Sequence, residues 1–200
     1  MKFFKRDCTM ASILIGYGTG EGQTAKIVNR VSGCLVDRSH ETTVKNLSEL
    51  PPDFIIEEFD AVCIGASIHM GQHQPAVYEF VQTHRNEMER LPTAFFQVSL
   101  SSASTDPSSR AEAAGYVDSF LEETGWHPDR IGLFGGALSY SKYGFLKRLM
   151  MKQIAKEATG DTDASQDYEY TDWQEVEAFA ADFGTFVEGR LGLTRSVEKR

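Results

Sequence analysis

The chain has 200 residues, of which 41% are hydrophobic, and this is enough apolar material for one domain with a buried core. Its 20 Lys and Arg residues stand against 29 Asp and Glu residues, giving a formal net charge of −9. This balance argues against nucleic-acid binding, which needs a cationic surface, and no run approaches the ~18 apolar residues of a membrane-spanning helix.

Residues 1–9 carry basic side chains but lack the apolar stretch of a signal peptide, so we expect a short solvated extension, with Met1 or Met10 as the start. Strands and helices alternate from residue 10 to residue 191, and residues 192–200 form a tail. Such alternation is typical of a parallel sheet covered by helices on both faces. We therefore expect one α/β domain over residues 10–191, with a doubly wound five-stranded parallel sheet.

The third predicted strand is short and continuously apolar, as a buried parallel strand should be, and the second is weaker. The five predicted strands are residues 12–17, 42–47, 61–66, 94–100 and 131–138. Apolar spacing and breaks at glycine and proline predict helices over residues 23–32, 75–89, 110–124 and 173–191. Gly33 and Gly125 are predicted to end the helices that they follow, and Asp172 to cap the last one.

The three cysteines, Cys8, Cys34 and Cys63, match neither a zinc site nor a disulfide framework. Cys63 lies within an apolar run and is predicted to be a small core residue. This usage favours a reducing, cytoplasmic setting.

A glycine-rich loop follows the first strand and opens the first helix. It lacks the lysine of a Walker loop and the third glycine of the dinucleotide fingerprint. Backbone amides and threonine hydroxyls at a helix start suit a terminal phosphate, although an ordinary turn with a threonine N-cap is the alternative. The switch point between the first and third strands favours the phosphate, from which Glu21 must point away. The loop residues are Gly18, Thr19, Gly20, Glu21, Gly22, Gln23 and Thr24.

Two further loops are predicted at the same edge of the sheet, where they would complete a ligand site. Their candidate residues are Ala66, Ser67, Ile68, His69 and Gly71 after the third strand, and Ser99, Leu100 and Ser101 after the fourth. His69 and His73 are separated by Gly71, so a helical metal pair is not expected, and no metal is assigned. We expect both histidines to be exposed in the loop, where His69 could help place the ring of a bound ligand or take a proton.

More than thirty residues, 139–172, separate the last strand from the last helix, whereas connections in such folds usually take ~2–6 residues. The first half of this insert mixes aromatic and aliphatic residues with basic ones. It is interpreted as an interfacial helix at an anionic membrane, as a cationic wall for carboxylates, or as a helix packed on the sheet with solvated lysines. The residues predicted to contact substrate or membrane are Tyr140, Lys142, Tyr143, Phe145, Lys147, Arg148 and Lys152.

The chain resembles the flavodoxins, and more closely the flavodoxin-like protoporphyrinogen oxidases, the quinone-dependent protoporphyrinogen IX dehydrogenases. The phosphate loop carries the general resemblance. The insert and the segment Thr171-Asp172-Trp173 carry the closer one, because ordinary flavodoxins lack an insert there. Other matching stretches are residues 64–68 with Gly71, 126–130, 135–138, 143–151 and 170–173.

The resemblance implies a flavodoxin-like sheet in strand order 2-1-3-4-5 and an FMN enzyme of haem biosynthesis that oxidises protoporphyrinogen IX with a quinone. It implies a cytoplasmic protein associated with the cytoplasmic membrane face through residues 140–156, and it leaves a homo-oligomer open. No catalytic side chain is assigned, since the redox chemistry belongs to the cofactor. The family's loop usually carries Asp where this chain has Glu21, and its insert is richer in arginine.

Three alternative functions are kept. They are a one-electron carrier of the flavodoxin kind, an FMN-dependent quinone reductase without porphyrinogen activity, and a flavin-type fold that has lost its ligand. The insert argues against the carrier, because a carrier needs only an exposed flavin edge. Trp173 is expected to be a core residue at the start of the last helix rather than a flavin-stacking ring.

Overall fold

The computed structural model describes residues 10–51, 53–69, 71–142, 163 and 166–193. Within these residues, five parallel strands form one sheet in the order β2-β1-β3-β5-β6, which confirms the order 2-1-3-4-5 expected from the resemblance. A sixth strand of two residues, β4, forms a hairpin with β3 and pairs antiparallel with its end. The strands are β1 Ser12–Gly18, β2 Glu41–Asn46, β3 Ala61–His69, β4 Gln72–His73, β5 Thr93–Ser99 and β6 Arg130–Gly135.

Helices cover both faces of the sheet, as the alternating pattern predicts. Successive side chains of a strand point to opposite faces. Ile13 and Ile15 of β1 therefore belong to the core cluster with the first and last helices, whereas Leu14 belongs to the cluster with the two middle helices. Cys63 is fully buried in the first cluster, as predicted. The helices are α1 Gln23–Asp37, α2 Pro75–Met88, α3 Pro107–Thr124 and α4 Trp173–Leu191.

Gly33 does not end α1, so this prediction is wrong. The helix continues to Asp37 because the buried positions Val28, Val31 and Leu35 keep helical spacing past the glycine. The prediction for α4 is correct at both ends, with the Asp172 carboxylate accepting hydrogen bonds from the amides of Gln174 and Glu175.

The third helix starts three residues earlier than predicted. The Asp106 carboxylate accepts the amide of Ser109 at 2.9 Å, and Pro107 fills the first helical position. Gly125 ends this helix in the left-handed conformation, with φ 64°, as predicted.

The predicted strand over residues 131–138 is two strands. The parallel pairing of β6 with β5 ends at Gly135, which lies opposite Ser99. After Gly136 the chain forms β7, Ala137–Leu138, which pairs antiparallel with β8, Tyr168–Glu169. The two ends of the long connection therefore pair with each other.

The third strand is also longer than predicted, because the hairpin with β4 extends its pairing to His69. The second strand stops at Asn46, whose side chain accepts the amide of Ser48 and starts one turn of 3-10 helix, Leu47–Glu49. None of the helices in the described part of the chain is long and apolar enough to cross a membrane. The predicted extension over residues 1–9 and residues 194–200 of the tail lie outside the described residues.

Candidate functional site

A cavity of about 900 Å³ lies at the carboxyl ends of β1, β3 and β5. Its volume is in the range of small-molecule and cofactor sites, and its place is the switch point of the sheet, beside β1. It is lined by three loops, the first turns of α3 and the start of β7. The lining residues are Thr19, Gly20, Glu21, Gln23, Thr24, Ser67, Ile68, His69, Gly71, Val98, Ser99, Leu100, Ser101, Asp106, Ser108, Ser109, Glu112, Tyr116, Gly136 and Ala137.

Most of the predicted cofactor residues therefore meet at one cavity, whereas Gly18, Gly22 and Ala66 do not line it. Gly18 faces α2, where a Cβ atom would lie 2.6 Å from a methyl of Val77. Ala66 is fully buried in the core. Gly18 and Ala66 therefore face the core rather than the cavity, and direct flavin contact by the residues that line the cavity stays a prediction.

The glycine-rich loop is closed by Gly22 rather than capped by a threonine. Gly22 is the N-cap of α1 in the left-handed conformation, with φ 94°, which favours glycine. Its amide donates to the hydroxyl of Thr19 at 2.9 Å, so Thr19 stabilises the turn. The helix-initiating amides of Gln23 and Thr24 have no carbonyl partner within the helix and stand at the positive end of its dipole.

The hydroxyl of Thr24 is the clearest indication that the cavity binds a ligand. Thr24 is fully buried and lines the cavity. Its Oγ1 atom has no hydrogen-bond partner within the part of the chain that the structure describes. Leaving a buried hydroxyl unpaired costs ~1–3 kcal/mol, so an acceptor in the cavity would complete the site. The loop therefore fits a phosphate that is bound without a lysine.

Ser67 links the glycine-rich loop to the loop after β3. Its hydroxyl oxygen accepts the amide of Gly20 at 3.4 Å and the side-chain amide of Gln74 at 2.6 Å. With both acceptor positions used, its hydrogen is left to donate, and Ser67 lines the cavity. Sequence reasoning missed Gln74, which precedes α2 and has no local signal of a link to Ser67.

The wall from α3 was also missed by sequence reasoning. The hydroxyl of Tyr116 donates to one carboxylate oxygen of Glu112 at 2.7 Å, and Ser101 donates to the other at 3.0 Å. The hydrogen bond to Glu112 raises the pKa of Tyr116 to about 12, so the phenol stays protonated. The N-cap signature of Asp106 with Pro107 could have revealed this earlier helix start.

Carboxylates are also present at the cavity. Glu21, Asp106 and Glu112 all line it. Hydrogen bonds from Ser108 and from the Ser109 amide hold the pKa of Asp106 below its usual value. The prediction that Glu21 points away from a phosphate stays a prediction.

The two histidines of the hairpin differ. His69 is exposed at the end of β3, as predicted. His73 is only 4% exposed, so the prediction of an exposed loop histidine is wrong there. The turn at Gly71 brings β4 back against the sheet, and the imidazole Nε2 lies 3.0 Å from the Gln97 side-chain oxygen.

Gln97 determines which nitrogen of His73 carries the proton. Its side-chain nitrogen donates to the carbonyl of Ala113, so its oxygen accepts from His73 Nε2. The ring lies among aromatic side chains, 5.6 Å from Phe95 and 4.9 Å from Phe120 between centroids. Burial lowers the pKa of His73 to about 4, so it is neutral near pH 7. Among the described residues no cluster of three or more His, Cys, Asp or Glu could hold a metal ion.

Tyr140 is fully buried in a small cluster with Leu138 and with Tyr168 of β8. This burial favours the role of an anchor for the insert over direct contact with a substrate. The backbone of Lys142 belongs to a single 3-10 turn, Tyr140–Lys142. The other residues of this prediction lie outside the described residues, namely Tyr143, Phe145, Lys147, Arg148 and Lys152.

Trp173 does not line the cavity. Its ring packs against the core cluster that contains α1 and α4. Its indole nitrogen donates to Glu169 at 3.0 Å. Trp173 is half-buried at the edge of this cluster, so the prediction of a core position is only partly correct.

Comparisons with known proteins agree with the flavodoxin-like fold. They also identify a group within that fold to which the chain is similar in sequence. The flavodoxin domain family matches residues 14–165. The protoporphyrinogen IX dehydrogenase (quinone) of Leishmania major is 33% identical over 173 residues, which are 85% of this chain and 73% of that protein. The protein of the same name from Escherichia coli K12 is 34% identical over 171 residues, which are 84% of this chain and 92% of that protein.

Solved structures show the fold alone, because their sequences are distant. An archaeal flavodoxin superposes with a TM-score of 0.52 at 13% identity, covering 88% of this chain and 99% of that one. Flavodoxin 1 from Bacillus cereus superposes with a TM-score of 0.51 at 13% identity, covering 87% of this chain and 97% of that one.

Proposed function

Because the chain belongs to the flavodoxin domain family, and within it to the group of the protoporphyrinogen IX dehydrogenases, we propose that it is an FMN-dependent oxidoreductase of haem biosynthesis. Its substrate in this proposal is protoporphyrinogen IX, which it oxidises to protoporphyrin IX, and its electron acceptor is a quinone. The similarity to two curated enzymes over 84–85% of this chain supports the substrate and the acceptor.

The observation that carries the choice of cofactor is the unpaired, fully buried hydroxyl of Thr24 beside the first amides of α1. A terminal phosphate would accept from that hydroxyl and from the amides of Gln23 and Thr24, and the helix dipole favours its charge. FMN has such a phosphate. When bound, it supplies the redox chemistry of the reaction.

The chain's own residues bind and orient rather than react. Ser67 has a hydrogen left to donate toward the cavity, whereas Tyr116 stays protonated with its one hydrogen donated to Glu112. His73 is neutral and hydrogen-bonded to Gln97, and this bond holds the hairpin of β3 and β4 beside the cavity. Hydrogen bonds within the protein therefore hold these parts of the cavity lining in place.

The test of the function is porphyrin fluorescence from the purified protein, reconstituted with FMN under anaerobic conditions. We expect protoporphyrinogen IX to be converted to fluorescent porphyrin only when both FMN and a naphthoquinone are present. The control is the uncatalysed rate with FMN and quinone but no protein. A rate equal to that control would refute the proposal.

The same preparation distinguishes the alternatives. Reduction of quinone by another donor without porphyrin formation would identify a quinone reductase. Bound FMN without either turnover would identify an electron carrier. Failure to bind FMN at all would identify a fold that has lost its ligand.

Cytoplasmic location and contact with the membrane face through residues 140–156 belong to the same proposal. The mixture of basic and apolar residues in this segment supports it. We expect the protein to cosediment with anionic phospholipid vesicles, and the triple variant Lys147→Glu, Arg148→Glu, Lys152→Glu to lose this binding.

The matched control for vesicle binding is the triple variant Lys45→Glu, Arg90→Glu, Arg110→Glu, which alters net charge equally at exposed sites elsewhere. Equal vesicle binding by the two triple variants would contradict membrane contact through the insert.

A further inference from the structure

Thr171 belongs to the segment Thr171-Asp172-Trp173, which carries the closer resemblance to the family, and its side chain joins two remote parts of the chain. It lies between β8 and α4 and is only 9% exposed. Its hydroxyl donates to the carbonyl of Gly135 at 2.7 Å and accepts from the side-chain nitrogen of Gln23 at 2.8 Å. Because its single hydrogen goes to Gly135, a lone pair is directed at Gln23.

Gln23 is the first residue of α1 and lines the cavity. It is 7% exposed, so its hydrogen bond to Thr171 is shielded from water. The next residue is Thr24, whose unpaired hydroxyl marks the phosphate position. Thr171 is therefore one hydrogen bond away from the helix turn that would hold the phosphate.

A second link joins the same two segments one turn further along α1. The ammonium of Lys26 lies 2.9 Å from the Glu169 carboxylate, whose other oxygen accepts from Trp173. This ion pair is substantially exposed, and exposed pairs contribute little. The Gln23 side chain also hydrogen-bonds Glu169, and its bond to Thr171 is the buried one among these links between the two segments.

We infer that Thr171 is a positioning residue for the phosphate of FMN. It holds the Gln23 side chain, and with it the first turn of α1, in the orientation in which the helix amides and the Thr24 hydroxyl converge. This inference rests on the proposed function, because it needs FMN as the ligand. It also links the end of the long connection to the glycine-rich loop, across 148 positions of sequence.

The test compares dissociation constants for FMN and riboflavin, which differ only by the phosphate. The ratio of the riboflavin constant to the FMN constant measures how well the loop uses that phosphate. We expect Thr171→Val to lower this ratio by about five- to tenfold, the scale of one lost buried hydrogen bond, while the riboflavin constant stays the same. Thr171→Ser keeps the hydroxyl and should restore the wild-type ratio.

The matched control is Thr124→Val. Thr124 is another buried threonine whose hydroxyl donates to a backbone carbonyl, that of Phe120, and it does not line the cavity. We expect this variant to lose stability without changing the ratio. Gln23→Met removes the same hydrogen bond from the other side, and the double variant Gln23→Met, Thr171→Val should lower the ratio no further than Gln23→Met alone.

Several outcomes would overturn the inference. An unchanged ratio in Thr171→Val would do so, and equal weakening for both flavins would show a merely structural role. If Thr171→Val does not fold, Gln23→Met decides alone, and a wild-type ratio in that variant overturns the inference. A wild-type protein that does not distinguish FMN from riboflavin would instead remove the phosphate assignment and the proposed cofactor with it.

Discussion

At the scale of single residues, the hydroxyl of Thr24 has opposite effects with and without a ligand. It is buried with no partner in the described part of the chain, which costs the ligand-free protein ~1–3 kcal/mol. A phosphate oxygen in the cavity would accept from it and remove that cost. In the proposed function, the same group would therefore lower the stability of the free protein and raise its affinity for FMN.

We expect Thr24→Val to weaken FMN binding by on the order of 1–3 kcal/mol, because valine keeps the shape of threonine but loses the donor. Without FMN, the free energy of unfolding should stay the same or rise. Flavin fluorescence quenching and urea unfolding measure the two quantities.

The comparison for Thr24→Val is Thr19→Val. The Thr19 hydroxyl is already used by the Gly22 amide, so this variant should lose both stability and FMN affinity. If Thr24→Val bound FMN as tightly as wild type, or unfolded more easily without it, Thr24 would not be the phosphate ligand.

His73 makes stability depend on pH. Burial lowers its pKa to about 4 in the folded state from 6.5. Between these values the unfolded state binds more protons than the folded state, so stability falls as the pH falls from about 6.5 to about 4. The size of this loss is on the order of 3 kcal/mol.

We expect His73→Gln to remove most of the stability loss that wild type shows over this pH range, since glutamine does not titrate. The variant is less stable at neutral pH, so the slope with pH is the quantity to compare, measured by urea unfolding. His69→Gln, at the exposed end of β3, should keep the wild-type slope. A wild-type slope in His73→Gln would show that other groups carry the acid sensitivity.

At the scale of secondary-structure elements, α1 shows how two sequence signals compete. Glycine is common just after the end of a helix, so Gly33 predicts an end there. Leu35, however, continues the apolar face of the helix beyond Gly33. Burial of that face determines the outcome, and a Cβ atom at Gly33 would meet nothing within 4 Å.

Gly33→Ala should therefore raise the free energy of unfolding by about 0.5–1 kcal/mol, because alanine is the better helix former. Gly125→Ala is the opposite case. Its φ of 64° disfavours a side chain, so we expect a loss of stability. Urea unfolding of both variants checks the pair, and a loss of stability in Gly33→Ala would show that the residue acts as a helix end.

The strands that sequence reasoning misjudged are those whose limits depend on a distant partner. The apolar pattern of residues 131–138 is continuous, but pairing with β5 ends at Gly135 and Leu138 pairs with Tyr168 instead. Likewise His73 is polar and follows Gly71, which suggests a loop, yet pairing with Ile68 brings it back into the core. Local pattern carries no information about these pairings.

At the scale of the whole molecule, the place of the cavity could be predicted from the alternating pattern, and the strand order from the resemblance to the flavodoxins. Parallel strands joined by helices put their carboxyl ends at one edge, so the three loops had to meet there. The contacts that order the site could not be predicted, because they join remote segments. Gln23 with Thr171 and Ser67 with Gln74 are examples, and they depend on how helices and loops pack in three dimensions.

The central claim is that the first turn of α1 and its glycine-rich loop bind the phosphate of FMN. The most direct measurement is a crystal structure of the protein grown with FMN. It should show a phosphate oxygen within hydrogen-bond distance of Thr24 Oγ1 and of the first amides of α1. FMN bound with its phosphate away from this loop would contradict the claim.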